Sequence, residues 1–305
     1  MNKLNVDDLV AKGLVKKKTY TEGIYKGLSV LKYTKKVFFK HLWNVDIRLL
    51  ECRGTVVDEF DNVIVLPFKK VFNLHEEGTE IDDDTIVDVP RKVNGFMGVA
   101  TNTEDYGIIV STSGTLDSEY AGLACRQLNK GKLRHMVKGY TYLFEICDPT
   151  DPHIVPEVEG AYLVGIRNIA TGILATETQL DKIANLLEYS RPLVNTLRFG
   201  ELKEVMKETT HEGFMVREAS TGETLAKWKS PYYLSAKALM RVGKARISVL
   251  FDTPEVFKER LDEEFYGLVD YITISYTRSA WESYGEQERR LVIEEYYGGE
   301  NVIYS

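Results

Sequence analysis

From about residue 45 to residue 230, short apolar, strand-like runs bounded by turn residues dominate the chain. Residues 53–58 and 62–67 flank Glu59-Phe60-Asp61-Asn62, whose Asp61-Asn62 pair supplies turn chemistry, which predicts a hairpin. Residues 95–100 and 106–111, joined by the polar loop 101–105, predict a second one, and Lys92 then stands just before its first strand. Residues 116–128 carry a helical period with Asp117 or Ser118 suited to the N-terminus. Residues 140–147 and 162–168 are apolar strands. The stretch 177–208 predicts helix in two pieces broken near Arg191-Pro192, and residues 214–217 and 224–228 predict a last hairpin around Ser220-Thr221-Gly222. Residues 1–45 mix short amphipathic pieces with the basic clusters Lys16-Lys17-Lys18 and Lys35-Lys36. After about Ser230 the period changes: Pro254 opens a run with Phe257, Leu261, Phe265, Leu268 and Ile272 at helical spacing, and residues 289–297 predict another helix. The pattern therefore predicts an α+β domain of mostly antiparallel strands with flanking helices over residues 1–234. A small all-helical domain follows over 235–305, the change falling between Ser230 and Lys237.

Length and composition fit this division. The 305 residues suffice for two domains with a buried core, and 44% hydrophobic with 28% charged residues is ordinary for a globular enzyme. A net charge of −7 argues against sequence-independent coating of a polyanion, so a nucleic-acid contact has to be a local basic groove. Cys52, Cys125 and Cys147 show no paired or metal-ligand spacing, as expected for free thiols in a reducing compartment. The first residues have neither the apolar core nor the cleavage site of a signal peptide, and no apolar run approaches the ~20 residues of a membrane helix. A cytoplasmic protein is expected.

The candidate chemistry lies at the strand and turn edges. Lys92-Val93-Asn94-Gly95 is preceded by Glu51-Cys52-Arg53-Gly54 and followed by Glu145, Glu212-Gly213 and Lys227-Trp228-Lys229. Taken singly these are ordinary: Lys-x-Asn-Gly is common in turns, and two lysines on one strand face are more often a solvated edge. As an ordered set they supply a lysine nucleophile, cations for phosphates, and carboxylates. A lysine that attacks a phosphorus must be neutral, and burial or nearby cations such as Arg91, Arg53, Lys227 and Lys229 are expected to lower its pKa. Gly95 would let the backbone approach a phosphate or turn sharply, and Arg53, Lys70 and one of Lys227 and Lys229 are candidates for a pyrophosphate leaving group. Glu145 and Glu212 offer oxygen ligands for Mg²⁺ or Mn²⁺, or acceptors for ribose hydroxyls. Asp82-Asp83-Asp84 reads as a solvated loop, and none of the five histidines is assigned a ligand role.

With these residues in place, the chain resembles the covalent nucleotidyltransferase superfamily, and within it the bacteriophage T4 RNA ligase 1 family. Lys92-Val93-Asn94-Gly95 matches the nucleotide-accepting motif. Residues 142–145, 161–167, 212–216 and 227–233 resemble the later motifs, while 50–54 and 69–74 resemble the segments that bring Arg53 and Lys70 to the triphosphate. The likeness covers roughly residues 30–235. It implies a nucleotidyltransferase (ATP-grasp-like ligase) domain with Lys92 as the AMP acceptor and ATP and Mg²⁺ or Mn²⁺ as cofactors. Arg53, Lys70, Lys227, Lys229, Gly95, Glu145 and Glu212 would be nucleotide-binding, the two glutamates also holding metal. It further implies sealing of RNA 5′-phosphate and 3′-hydroxyl ends, cleaved tRNA and a phage source among the expectations.

Two departures stand out: Asn94 replaces the usual aspartate, so a carboxylate near the phosphate is lost, and Ser113 stands where the pattern has lysine. Met97 replaces the arginine of DNA ligases and capping enzymes, and no Gly-x-x-x-x-Gly-Lys-Ser/Thr loop occurs. A DNA ligase or guanylyltransferase relative, and a catalytically silent nucleotide- or RNA-binding protein, remain the alternatives. The helical tail offers Arg241, Lys244 and Arg246 to structured RNA, or as a solvated surface.

Overall fold

The computed structural model describes residues 3–261 and 265–296. Twelve strands among them form three four-stranded antiparallel sheets. The first sheet, in order, is β1 (Val15–Thr19), β2 (Ser29–Tyr33), β3 (Arg53–Val57) and β4 (Val63–Val65). The second holds β5 (Ile86–Pro90), β10 (Val194–Arg198), β11 (Gly213–Glu218) and β12 (Thr224–Lys229) in the order β10-β5-β11-β12. The third holds β6 (Phe96–Asn102), β7 (Ile108–Thr112), β8 (Tyr140–Cys147) and β9 (Gly160–Asn168) in the order β7-β6-β8-β9.

Five helices flank the sheets: α1 (Asp7–Ala11), α2 (Lys35–Phe39), α3 (Glu119–Leu128), α4 (Glu177–Leu187) and α5 (Phe199–Lys207). Six more close the described chain: α6 (Pro231–Met240), α7 (Lys244–Asp252), α8 (Pro254–Lys258), α9 (Tyr266–Ser275), α10 (Arg278–Ser283) and α11 (Glu286–Tyr296). The fold is thus α+β with antiparallel sheets and a helical C-terminal region, as the residue pattern predicts. No helix among the described residues is long and apolar enough to cross a membrane.

The three predicted hairpins form, and α3 starts at Glu119 because the Ser118 hydroxyl accepts from the Ala121 amide at 3.2 Å. Asp117, the other candidate cap, is held by Lys18 at 2.8 Å. Residues 194–198 correct the two-helix reading of 177–208: they form β10 at the sheet edge, paired with β5. Their mixed exposure hides the strand period. The run from Pro254 is two helices rather than one, and Tyr297 lies outside the described residues. The expected change at 234/235 falls inside α6, whose N-terminus is capped by the Ser230 hydroxyl on the Tyr233 amide at 3.0 Å.

The core of the C-terminal helices includes Tyr232, Leu239, Phe257, Phe265, Ile272, Trp281 and Ile293, all buried. Ile154 and Val155, from the segment between β8 and β9, are buried in that same core. Above it, Arg290 donates to the carbonyl oxygens of Ile154, at 3.2 Å, and of His153. The C-terminal helices are therefore tied to the sheets by the segment between β8 and β9 as well as by the Ser230 connection.

Candidate active site

Lys92 occupies the short link between β5 of the second sheet and β6 of the third. Its backbone amide donates to the Gly213 carbonyl at 2.8 Å, and that of Arg91 donates to the Leu193 carbonyl at 2.8 Å, so the link is anchored to the second sheet before it crosses. Beyond the lysine, the amide of Gly95 donates to Glu145 Oε1 at 3.1 Å, which ties the link to β8. Gly95 is required here by contact rather than by a turn: a Cβ at this position would sit 2.2 Å from the Ile146 carbonyl oxygen. The close neighbour in the structure is the backbone of β8.

Between the sheets lies a cavity of about 330 Å³ lined by Arg53, Lys92, Gly95, Glu145, Glu212, Lys227 and Lys229, with Phe68, Met97, Val164 and Met215 among its apolar wall residues. Seven of the eight residues singled out in the sequence are brought together. Lys70 is the exception: it is buried beside the cavity, 3.5 Å from Glu76 and 4.1 Å from the centre of the Phe72 ring.

Glu212 is the hub of the acidic side. Its Oε2 lies 3.0 Å from Lys92 Nζ and its Oε1 lies 3.1 Å from Lys229 Nζ. Burial pulls the Lys92 pKa down, but the carboxylates of Glu145 and Glu212 outweigh it and hold the amine above its ordinary value. This corrects the expectation of a depressed lysine, because the nearest charges are acids rather than the cations the sequence offered. Glu212 is held below the usual range: burial raises it, and Lys92 and Lys229 more than reverse that. Burial is the largest influence on Glu145 and leaves it raised.

Across the cavity the balance is reversed. Arg53 and Lys227 have no acid partner within ion-pair distance among the described residues. Burial, then the charges of Lys70, Arg53 and Lys229, push Lys227 down to about 8. Two cations side by side without an acid partner, with further cations near them, make a site for an anion.

Asn94, read from the sequence as a lost carboxylate, is a buried donor. Its Nδ2 donates to Glu212 Oε2 at 2.6 Å, and its Oδ1 accepts from the Val155 amide at 2.9 Å. An aspartate could not donate to Glu212. Ser113 lines the cavity with its backbone packed against Gly54. Glu157, missed in the sequence, accepts from the Asn94 amide at 3.1 Å and from Arg91 at 3.2 Å. Glu51, known from the sequence only as the neighbour of Cys52, takes both arms of Arg167 at 2.7 and 2.8 Å and fixes the approach to β3. Nothing local marks these residues, since each partner is more than 60 positions away.

Among the described residues no three His, Cys, Asp or Glu side chains gather as a metal cluster. Mg²⁺ commonly takes one or two carboxylates and completes its shell with water and substrate phosphates. Glu145 and Glu212 fit that donor set, and Glu145 is the readier of the two because Lys92, Lys229 and Asn94 already occupy Glu212. Of the basic tail residues, Arg241 is engaged by Glu286 at 2.8 Å and Arg246 stacks over Phe257.

No curated protein matches the chain. Among solved structures, a putative ATP-dependent DNA ligase from Aquifex aeolicus aligns over 96% of this chain and 78% of its own, at 15% identity and a TM-score of 0.59. An archaeal ATP-dependent RNA ligase aligns over 95% of this chain and 74% of its own, at 13% identity and a TM-score of 0.57. Both share the fold. A family model described as RNA ligase, of the T4 type, matches residues 51–238, the stretch that carries every candidate residue of the cavity. The chain belongs to that RNA ligase family.

Proposed function

We propose that the protein is an ATP-dependent RNA ligase that joins a 5′-phosphate to a 3′-hydroxyl through an adenylated Lys92. The observation that carries this reading is one cavity with a lysine on its acidic side facing Arg53 and Lys227, two cations that have no acid within ion-pair distance among the described residues. ATP would lie with its base against Phe68, Met97 and Val164 and its phosphates toward Arg53, Lys227 and Lys229, with Lys70 adding charge from behind. The Lys92 amine attacks the α-phosphorus; a nitrogen–phosphorus bond forms, the bond to the β-phosphate oxygen breaks, and pyrophosphate leaves. The proton on Lys92 departs to Glu212 or to solvent, so the ion pair that holds the lysine charged must loosen as the nucleotide arrives.

A 5′-phosphate of RNA then takes AMP from the lysine, and a 3′-hydroxyl displaces AMP to leave a phosphodiester. Mg²⁺ or Mn²⁺, held by Glu145 with Glu212, would supply positive charge to phosphate oxygens. Cys52 and Cys147 are buried free thiols, consistent with work in the cytoplasm, of a host if the gene is phage-borne. Repair of broken RNA, cleaved tRNA included, is the role the family suggests. We place the division between catalytic and helical units at Ser230, where α6 is capped.

Incubation of the full chain with ATP labelled at the α-phosphate, with Mg²⁺ or Mn²⁺ and no RNA, tests the first step. Label on the protein, discharged by pyrophosphate and absent from Lys92→Ala, is expected. Label from GTP instead would indicate capping chemistry, and no label from a folded protein would leave a silent binding module.

A further inference from the structure

Residues 1–50 precede the family match, and they build the sheet edge beside Arg53. Lys16 stands opposite Lys32 across β1 and β2, and Lys32 stands opposite Arg53 across β2 and β3. Three cations thus form a row across three strands. The pairing shifts between Leu31 and Lys32, which leaves Gly54 out of register, and its φ of +94° is the conformation such a bulge requires. The bulge keeps Arg53 in line with Lys32. At about 4.8 Å between strands the row is roughly 10 Å long.

Like charges directly opposite each other destabilise a sheet. Yet neither the Lys16 nor the Lys32 side chain makes a hydrogen bond or ion pair among the described residues, and the same is true of the Arg53 side chain. Acids are within reach of this strand, but they serve the flanking lysines: Lys17 pairs with Asp7 and Asp61, and Lys18 pairs with Asp117. The outer end of the row is exposed at Lys16. Its inner end opens into the cavity, where Arg53 and Ser113 both line the wall. Lys32 Nζ reaches the same turn, 3.5 Å from where a Cβ on Gly114 would begin.

We propose that Lys16, Lys32 and Arg53 form a phosphate track along which a single RNA strand lies as its end enters the cavity. The proposal rests on the ligase reading above. A row one cation wide, on a chain of net charge −7, matches the phosphates of one strand rather than the broad face a duplex needs.

The test is the salt dependence of binding of a short 5′-phosphorylated oligouridylate to the full chain, followed by fluorescence anisotropy. The double variant Lys16→Gln/Lys32→Gln is compared with Lys35→Gln/Lys40→Gln, which removes equal charge from exposed positions outside the row. Removing two phosphate contacts should flatten the slope of log affinity against log salt by about 1.4 and weaken binding about tenfold at low salt. The comparison variant should keep the wild-type slope. Equal flattening by both variants, or an unchanged slope in the first, overturns the track.

Self-labelling over a range of ATP concentrations separates the remaining outcomes. If the first variant loses ATP affinity while binding RNA like the wild type, the row belongs to the triphosphate and the track is wrong. If the wild type binds RNA through the row but never labels itself, the ligase reading fails and the track stands.

Discussion

Lys227 is a charged side chain whose environment favours its neutral form, held near 8 by burial and by the surrounding cations. Below about pH 8 it is charged in both folded and unfolded chains, and the cost of burying it is constant. Between about 8 and the ordinary lysine value of 10.5 the unfolded chain binds more protons, so the contribution of this group to stability rises with pH across that window. Lys227→Met should therefore raise stability at pH 7 by up to about 3 kcal/mol, a gain that shrinks toward zero as the pH approaches 10.5. Pyrophosphate should stabilise the wild type and not the variant. Urea unfolding at several pH values, with and without pyrophosphate, reads both effects, and a variant no more stable than wild type at pH 7 would refute the crowding of cations.

Asn94→Asp places a second carboxylate where an amide donates to Glu212 at 2.6 Å. The two acids would share a proton at low pH and repel each other when both ionise, so stability is lost as pH rises through their raised pKa. A loss of about 1–3 kcal/mol at pH 8, smaller at pH 5, is expected in the same measurement. Equal losses at both pH values would mean that the amide acts by shape alone.

At the scale of elements, the β5–β6 link is held by backbone contacts on both sides of Lys92, and Gly95 permits the crossing. Gly95→Ala must push β6 and β8 apart or displace Glu145, because its new Cβ would meet the Ile146 carbonyl at 2.2 Å. A destabilisation of about 1–3 kcal/mol is expected by urea unfolding, with slower self-labelling by ATP in whatever protein remains folded. A fully stable, fully active Gly95→Ala would show that the two strands can separate freely. The hairpins were legible in the sequence because each is a pair of short apolar runs around its own turn residues. β5 and β10 were not: they pair with each other across more than 100 residues, and β10 is an edge strand of mixed exposure. β1 was hidden by its lysines, which are tolerated on an edge strand.

For the molecule as a whole, a mechanical chain runs from the C-terminal helices to the nucleophile. Arg290 of α11 holds the carbonyls of His153 and Ile154, the next amide binds Asn94 Oδ1, and Asn94 adjoins both Lys92 and Glu212. On the proposed reading Arg290 would be a positioning residue, since its contacts are to the His153 and Ile154 carbonyls and not to Lys92. Arg290→Met should lower the maximal rate of self-labelling several-fold while leaving the ATP concentration at half-maximal rate nearly unchanged, because the apolar and cationic walls that would bind ATP lie elsewhere. Arg290→Lys, which keeps one donor, should recover part of the rate. A change confined to the ATP dependence would break this chain of contacts.

The sequence by itself determined the class of the fold, the family and the roll of chemical groups, because alternation, turn residues and motif spacing are local and need no knowledge of pairing. It also placed Lys92 at a strand edge. Only the tertiary structure decided what each group is next to. It set Lys92 against Glu212, whose carboxylate favours the charged form of the amine. It gathered Arg53 and Lys227 without acids, and it turned Asn94 from an apparent loss into a donor. The physical reason is that pKa values, ion pairs and close approaches depend on distances of a few ångströms between residues far apart in the chain, and those distances are fixed by which strands pair.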